Sequence, residues 1–168
     1  MDEYYRIPRY PDHLSSTSVL TRLLDGLGFR FYWATEGLRP EDYAYRPADD
    51  TMSIEELTIH VWALMNWVSS SSLKKTYKKP KNGAEAREKA LVIIHDLRRT
   101  ILAMSDKDLE KLRIRGKPFW HLINGPFSDA LTHTGQINSF RRLSGNPVAG
   151  ANVFEGEPPK VEKTESTG

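Results

Sequence analysis

Two short stretches of the sequence hold the residues best suited to chemistry. Asp129 and His133 are four residues apart, so on a helix they lie on the same face. That face is otherwise apolar, and we expect His133 to project into it with Asp129 at its edge. His60 lies on the flank of a similar apolar stripe earlier in the chain. Two imidazoles and a carboxylate from two packed helices would form a facial triad for one divalent metal ion, with positions left open for water or substrate.

The same side chains also have a simpler interpretation. Polar groups on an apolar helix face are costly to desolvate unless they are paired or coordinated. Asp129 and His133 could therefore bond each other across one helical turn as structural partners. Gln136 could support the site as a hydrogen-bond partner, or it could make an ordinary bond between helices. The residues alone leave these alternatives open.

Other common catalytic patterns are absent from the sequence. The chain contains no cysteine, which excludes disulfides, thiol nucleophiles and cysteine-ligated metals. A metal ion must therefore be held by His, Asp or Glu. Neither a phosphate-binding glycine loop nor a His-Glu-x-x-His zinc motif occurs. Ser71 and Lys74 match a Ser-x-x-Lys motif by letters only, because the partner motifs of such enzymes are missing.

The elements that must position these residues are predicted to be helices. The 168 residues correspond to one domain, and apolar residues recur at helical spacing in four segments. Four amphipathic helices in one domain predict an all-α fold, a four-helix bundle. Ser53 and Glu56 form a predicted capping box. The predicted helices run from 19 to about 37, from 54 to about 68, from about 84 to 104, and from 126 to 143.

The remaining segments complete the predicted domain organisation. Residues 1–13 form an irregular N-terminal arm, residues 14–154 form the single bundle domain, and residues 155–168 form a disordered tail that is poor in large apolar residues. The connections 37–52 and 105–125 are longer than an up-down bundle needs. Long connections in a compact domain often carry function.

Charge and hydropathy set the expectations for partners and location. The formal net charge is +2, and no apolar run approaches the roughly 20 residues that span a bilayer. We expect a cytoplasmic protein with a small-molecule substrate and without a membrane or nucleic-acid partner. Five lysines between Lys74 and Lys81 form a basic loop, which we interpret as solvated. Binding of an anionic polymer at this loop is a weaker alternative.

Longer stretches of the sequence resemble the DinB-like (YfiT-like) superfamily of metal-dependent helical bundle proteins. The resemblance covers about residues 18–150. It is carried by Ser-Ile-Glu-Glu-Leu-Thr-Ile-His at 53–60 with Trp67 following, Trp-His-Leu-Ile-Asn-Gly-Pro at 120–126, Asp-Ala-Leu-Thr-His-Thr-Gly-Gln-Ile at 129–137, and Arg-Leu-Ser-Gly-Asn-Pro at 142–147. It implies an up-up-down-down-like four-helix bundle that is often dimeric. It also implies a metal ion held by a His of the second helix and a His-x-x-x-His pair of the fourth.

Carried onto this sequence, the resemblance places His60 in the first ligand position and His133 in the last. The middle position falls on Asp129 instead of His, which gives the site harder character. The implied cofactor is a divalent metal ion: zinc, nickel, manganese or iron. The expected function is that of a metal-dependent enzyme, a hydrolase or a thiol-dependent transferase, acting on a small molecule as a homodimer. The alternative is a non-catalytic dimeric bundle that binds a ligand or a protein partner and keeps a vestigial metal site.

Overall fold

The structure, a computed structural model, describes residues 4–148 and 150–160. It is mostly helical, as predicted, with one two-stranded sheet among the described residues. None of the described helices combines the length and apolar character needed to cross a membrane. The helices are α1 (Ser16–Thr35), α2 (Pro40–Ala44), α3 (Ile54–Val68), α4 (Gly83–Leu102), α5 (Asp106–Lys111), α6 (Trp120–Leu122) and α7 (Ser128–Leu143), with π-helical turns at Ser69–Leu73 and Ile123–Phe127. The strands β1 (Arg113–Ile114) and β2 (Lys117–Pro118) pair antiparallel.

Side-chain caps fix where three of the four long helices, α1, α3 and α4, begin. The Ser53 hydroxyl accepts a hydrogen bond from the Glu56 N–H, and the Glu56 carboxylate accepts one from the Ser53 N–H at 2.7 Å, which confirms the predicted capping box. Ser15 caps α1 and Asn82 caps α4 through similar bonds. Each cap satisfies N–H groups that a helix leaves unpaired, so the local sequence sets the start of these helices.

The four long helices share one apolar core. α1 packs on α4 and α7, and α3 packs on the same two helices. Burying one large aliphatic or aromatic side chain stabilises a fold by about 1.5–3 kcal/mol, so this packing holds α3 and α7 in a fixed register. Fully buried side chains at the centre include Leu24, Phe31, Ile54, Val61, Met65, Ala90, Ile94, Ala130 and Ile137.

Both long connections contain structure that the hydrophobic periodicity does not reveal. The segment 37–52, predicted as a loop, contains the five-residue helix α2, which begins at Pro40. The segment 105–125 contains α5, the β-hairpin and α6. Strands of two residues are too short to show alternation, and a helix of five residues is too short to show a stripe.

A buried arginine connects the end of α7 to the end of α1. Arg141 is 2% exposed, and its guanidinium donates to the carbonyls of Trp33, Ala34 and Glu36 at 3.2, 3.1 and 2.8 Å. Carbonyls at a helix C-terminus lack partners within the helix. Arg141 therefore caps α1 from another helix and fixes the position of α7 relative to it.

Asp42 of α2 is fully buried next to this junction. Its carboxylate accepts hydrogen bonds from Arg39 Nε at 2.9 Å, Ser144 Oγ at 2.9 Å and Asn146 Nδ2 at 2.7 Å. The hydrogen bond from the Arg39 side chain is the largest influence, and together these bonds hold the pKa of Asp42 well below its ordinary value. The residues that follow α7 therefore hold α2 in place.

The irregular N-terminal arm crosses α1 at a glycine. The ring of Tyr4 is almost fully buried against Gly28, where an added Cβ would lie 2.5 Å from a ring carbon. No side chain larger than hydrogen fits at this position while the arm keeps its place. Gly28 therefore serves the packing of the arm, at some cost to helix propensity.

The first and last described segments contact each other. The Ile7 N–H donates to the Gly156 carbonyl at 2.9 Å, and Arg6 forms an ion pair with Glu157. Residues 155–160 belong to the range predicted as a disordered tail, and these contacts join part of it to the arm. Residues 1–3, 149 and 161–168, which include the rest of the predicted tail, lie outside the described residues.

Candidate metal centre

The three residues singled out in the sequence meet at the seam between α3 and α7. His60 lies in the second turn of α3, and Asp129 and His133 lie in the first two turns of α7. The Asp129 carboxylate lies between the imidazoles, with Oδ2 3.3 Å from His60 Nε2 and Oδ1 3.3 Å from His133 Nε2. The two rings are perpendicular, with centroids 4.6 Å apart. Two helices thus bring together the residues that the sequence analysis grouped.

This side-chain group has the size and the donor atoms of a metal site. One ligand atom from each residue lies within 4.8 Å of the other two, so the group could hold a metal ion. Two imidazole nitrogens and one carboxylate oxygen suit a divalent transition metal. Calcium and magnesium prefer oxygen ligands throughout and fit this set less well.

His133 lies beside the buried stripe of α7, whereas the sequence analysis placed it within that stripe. Ala130 and Ile137 are buried as predicted, but the position buried between them is residue 134 and not residue 133. His133 therefore lies on the flank of the helix that faces α3. The buried residues of α7 are Ala130, Thr134, Ile137 and Arg141.

The flank position leaves the group partly open to solvent. The His133 side chain is 16% exposed, and the side chains of His60 and Asp129 are 38% and 45% exposed. An ion or a small molecule can therefore reach the group from outside. Leu57 of α3 and Ala130 of α7, one turn or less from these residues along their helices, are buried.

Gln136 holds His133 in one orientation and one tautomer. The Gln136 amide oxygen accepts a hydrogen bond from His133 Nδ1 at 2.7 Å. A proton on Nδ1 leaves the lone pair of Nε2 directed at Asp129, which is the arrangement that a metal-binding imidazole needs. Of the two roles considered for Gln136, the structure shows the hydrogen bond to a site residue.

A kink before α7 determines where Asp129 lies. Gly125 has non-helical backbone angles, φ −94° and ψ −107°, and Pro126 follows it. Proline lacks an N–H and clashes with the preceding turn, so the chain changes direction here. The predicted helix start at 126 falls within the π-helical turn, and regular α-helix begins at Ser128. Asp129 is thus placed in the first turn of α7.

Three side chains form a second group on the same side of α3, and two of them come from the long connection. The guanidinium carbon of Arg115 lies 5.0 Å from the centre of the Trp67 ring. The His121 ring meets the same indole edge-to-face, with centroids 6.5 Å apart. Arg115 is not predictable as a site residue from the sequence, where its only local signal is the turn glycine that follows it.

The basic loop after α3 is partly tied to α4. Lys75 forms an ion pair with Asp96, and the Tyr77 hydroxyl donates to the same carboxylate at 2.5 Å. Burial opposes ionisation of Asp96, but the hydrogen bonds from Lys75 and Tyr77 prevail and hold its pKa below its ordinary value. Part of the positive charge in this loop is therefore compensated within the chain.

An open apolar groove of about 1250 Å³ lies between α1, the N-terminal arm, α5 and the segment around α6. Its walls include the exposed side chains of Leu14, Val19 and Trp120. None of the three residues of the candidate metal centre lines this groove. It is therefore a feature separate from the centre.

Comparison with known proteins gives no match. No protein-family model matches the chain, and no curated protein or solved structure is significantly similar to it.

Proposed function

We propose that this chain is a DinB-like four-helix-bundle enzyme that uses a divalent metal ion to act on a small molecule. The observation that carries the proposal is the convergence of His60, Asp129 and His133 from two helices, with ligand atoms within 4.8 Å of one another. The mutual packing of α1, α3, α4 and α7 around one core supports the bundle part of the proposal.

His60, Asp129 and His133 would hold the ion, and Gln136 would keep His133 in the ligating tautomer. A divalent ion bound there supplies a Lewis acid that polarises a coordinated water or thiol. The residues would leave part of the coordination sphere to solvent, because the side chains of His60 and Asp129 are more than a third exposed. Hydrolysis and thiol-dependent transfer both fit this arrangement, and zinc, nickel, manganese and iron fit the donor set.

The test is the metal content of the protein. The chain is purified without an affinity tag, and metals are measured by mass spectrometry after equilibration with each of the four ions. We expect close to one ion per chain for the wild type and a large loss for His133→Ala. His13→Ala, which removes an exposed imidazole in the arm, is the matched control and should bind normally.

An unchanged metal content in His133→Ala would remove this site from the proposal. The alternative function, a non-catalytic dimeric bundle that binds a ligand or protein partner, would then be favoured. One observation supports that alternative. The Asp129 carboxylate is hydrogen-bonded to His60 Nε2 at 3.3 Å, and His133 Nδ1 is bonded to Gln136, so each of the three groups already has a partner without an ion. Light scattering of the same preparations tests the dimer that both functions include.

A further inference from the structure

Arg115 occupies a backbone position that its residue type does not favour. It has φ 49° and is followed by Gly116 with φ 76°, at the tip of the β1–β2 hairpin. Two-residue hairpin turns with two positive φ values favour Asn-Gly or Asp-Gly, because larger L-residues are strained there. The turn itself therefore gives no reason for an arginine, and non-glycine residues in such conformations cluster at functional sites.

The charge of Arg115 is held by an aromatic ring and is available to a ligand. Its guanidinium carbon lies 5.0 Å from the Trp67 ring centre, within the range of a cation–π contact. Among the residues that the structure describes, no carboxylate pairs with it and no carbonyl accepts a hydrogen bond from its side chain. A guanidinium that contacts a ring through its face keeps N–H donors along its edge, and these match the two oxygens of a carboxylate or a phosphate.

This cation lies on the side of α3 that carries the candidate metal centre. Trp67 is seven residues after His60, so the two side chains share one helix face and are separated by about 10 Å along the axis. The neighbouring chain runs in the opposite direction, since His121 contacts Trp67 while Asp129 contacts His60. The two helices and their connection therefore border one strip of surface between Arg115 and the metal centre.

Small residues lie along this strip. Ala63 lies between His60 and Trp67 on α3 and is only partly buried. On the opposite side, a Cβ added to Gly125 would meet nothing nearer than the His121 ring, with Nε2 at 3.8 Å. At these two positions, therefore, the strip presents no large side chain.

We infer that Arg115, held on Trp67, binds the anionic group of a substrate whose reacting end lies at His60, Asp129 and His133. The substrate class is a small extended molecule that carries a carboxylate or phosphate about 10 Å from its reacting atom, the spacing of two helical turns. This inference rests on the proposed function, because it takes the metal centre as the reacting end.

The experiment compares two probes that differ only in charge. 6-Mercaptohexanoate and 6-mercaptohexanol share a thiol and a six-carbon chain, and each is titrated into the protein with and without one equivalent of zinc. NMR signals of the Arg115 side chain, the Trp67 indole and the His60 and His133 rings report where each probe binds. The variants are Arg115→Gln and, as a charge-matched control on the same hairpin, Lys117→Gln.

We expect the acid to bind the zinc-loaded wild type at least about tenfold more tightly than the alcohol, as a charge-assisted pair predicts. Arg115→Gln should bring this ratio close to one, and Lys117→Gln should leave it unchanged. Without zinc, the acid should still shift the Arg115 signals in preference to the alcohol, at higher concentration.

Equal affinity for acid and alcohol in the wild type would overturn the inference, as would a preference that survives in Arg115→Gln. Failure of the proposed function is a separate result. In that case zinc leaves the His60 and His133 signals unchanged, and the comparison of acid with alcohol in the zinc-free protein still decides the role of Arg115.

Discussion

Asp129 stands at the position where the pattern of the DinB-like superfamily, which the sequence resembles, has a histidine. A carboxylate at this position can contact two imidazoles at once. Its two oxygens each contact one imidazole at 3.3 Å, which a single histidine nitrogen could not do. The carboxylate and His60 Nε2 can therefore hydrogen-bond without an ion, and a bound ion would compete with this bond. The carboxylate also adds a hard oxygen donor, which favours manganese and iron more than three imidazoles would.

At the residue scale, the clearest prediction concerns Gln136. Gln136→Leu removes the acceptor for His133 Nδ1, so the imidazole loses its preferred tautomer and orientation. We expect zinc affinity to fall by about 10- to 100-fold, the usual effect of losing such a supporting hydrogen bond. Competition with a chromophoric chelator measures the affinity.

Ser139→Ala is the control, because Ser139 is exposed on the same helix and its hydroxyl donates to the Gly135 carbonyl. It should bind zinc like the wild type. If Gln136→Leu also binds like the wild type, then Gln136 does not support a metal ligand.

At the scale of elements, the sequence predicted the long helices well because capping boxes and stripes are local signals. Ser53 and Glu56 cap α3 as expected, and the ends of α4 differ from the predicted ones by only one or two residues. Regular α-helix begins at Ser128 and not at the predicted 126, because Pro126 lies in a π-helical turn and directly follows the kink at Gly125. Short elements such as α2 and the hairpin carry no periodic signal and were not predicted.

Two glycines of α1 provide a prediction about an element and what packs on it. In Gly28→Ala, the new Cβ would overlap the Tyr4 ring, so we expect the N-terminal arm to leave α1 while the helix remains. Hydrogen exchange should then show lost protection of the Ile7 amide, which donates to the Gly156 carbonyl, and retained protection in α1.

Gly26→Ala is the matched control two residues away. Its Cβ would meet only the flexible end of Arg30, at 3.2 Å. This variant should keep the arm in place and stabilise the fold by about 1 kcal/mol through helix propensity. Equal protection of the arm in both variants would contradict the role assigned to Gly28.

At the scale of the whole molecule, the ionisation of Asp42 makes the free energy of unfolding depend on pH. Its pKa in the fold lies below the ordinary 3.8, so the ionised carboxylate stabilises the native state. This contribution is fully present above the unfolded pKa and is lost as pH falls from about 5 toward the folded value. Asp42→Asn should be less stable than the wild type by about 2 kcal/mol at pH 7, the value of a hydrogen-bonded charge, and the difference should shrink in acid.

Denaturant unfolding at several pH values measures this difference, with Asp12→Asn in the exposed arm as the control. The wild type must be compared with the Asp42→Asn variant, because other titrating groups change the stability in the opposite direction as pH falls. Burial raises the pKa of Asp25 against the influence of Arg98, so protonation of Asp25 in acid favours the fold. A difference between Asp42→Asn and wild type that stays constant down to pH 2 would contradict the assignment.

The candidate metal centre was more predictable than its surroundings. Asp129 and His133 are joined by helical spacing, and His60 stands out on an apolar face, so the sequence alone could group them. Arg115 belongs to a connection without periodicity, and only the fold brings it to Trp67. Arg141 has the appearance of an ordinary surface arginine in the sequence, because the three carbonyls that it caps on α1 lie more than 100 residues away.

Because Arg141 caps α1 from the other end of the chain, α1 cannot be capped until α7 has been synthesised. The carbonyls at the end of α1 leave the ribosome long before the side chain that satisfies them, and His60 likewise precedes Asp129 by 69 residues. A nascent chain that stops before α7 lacks the Arg141 cap on α1. It also lacks two of the three residues of the candidate metal centre, Asp129 and His133. The last quarter of the polypeptide therefore supplies the side chains that complete both the cap of α1 and the candidate metal centre.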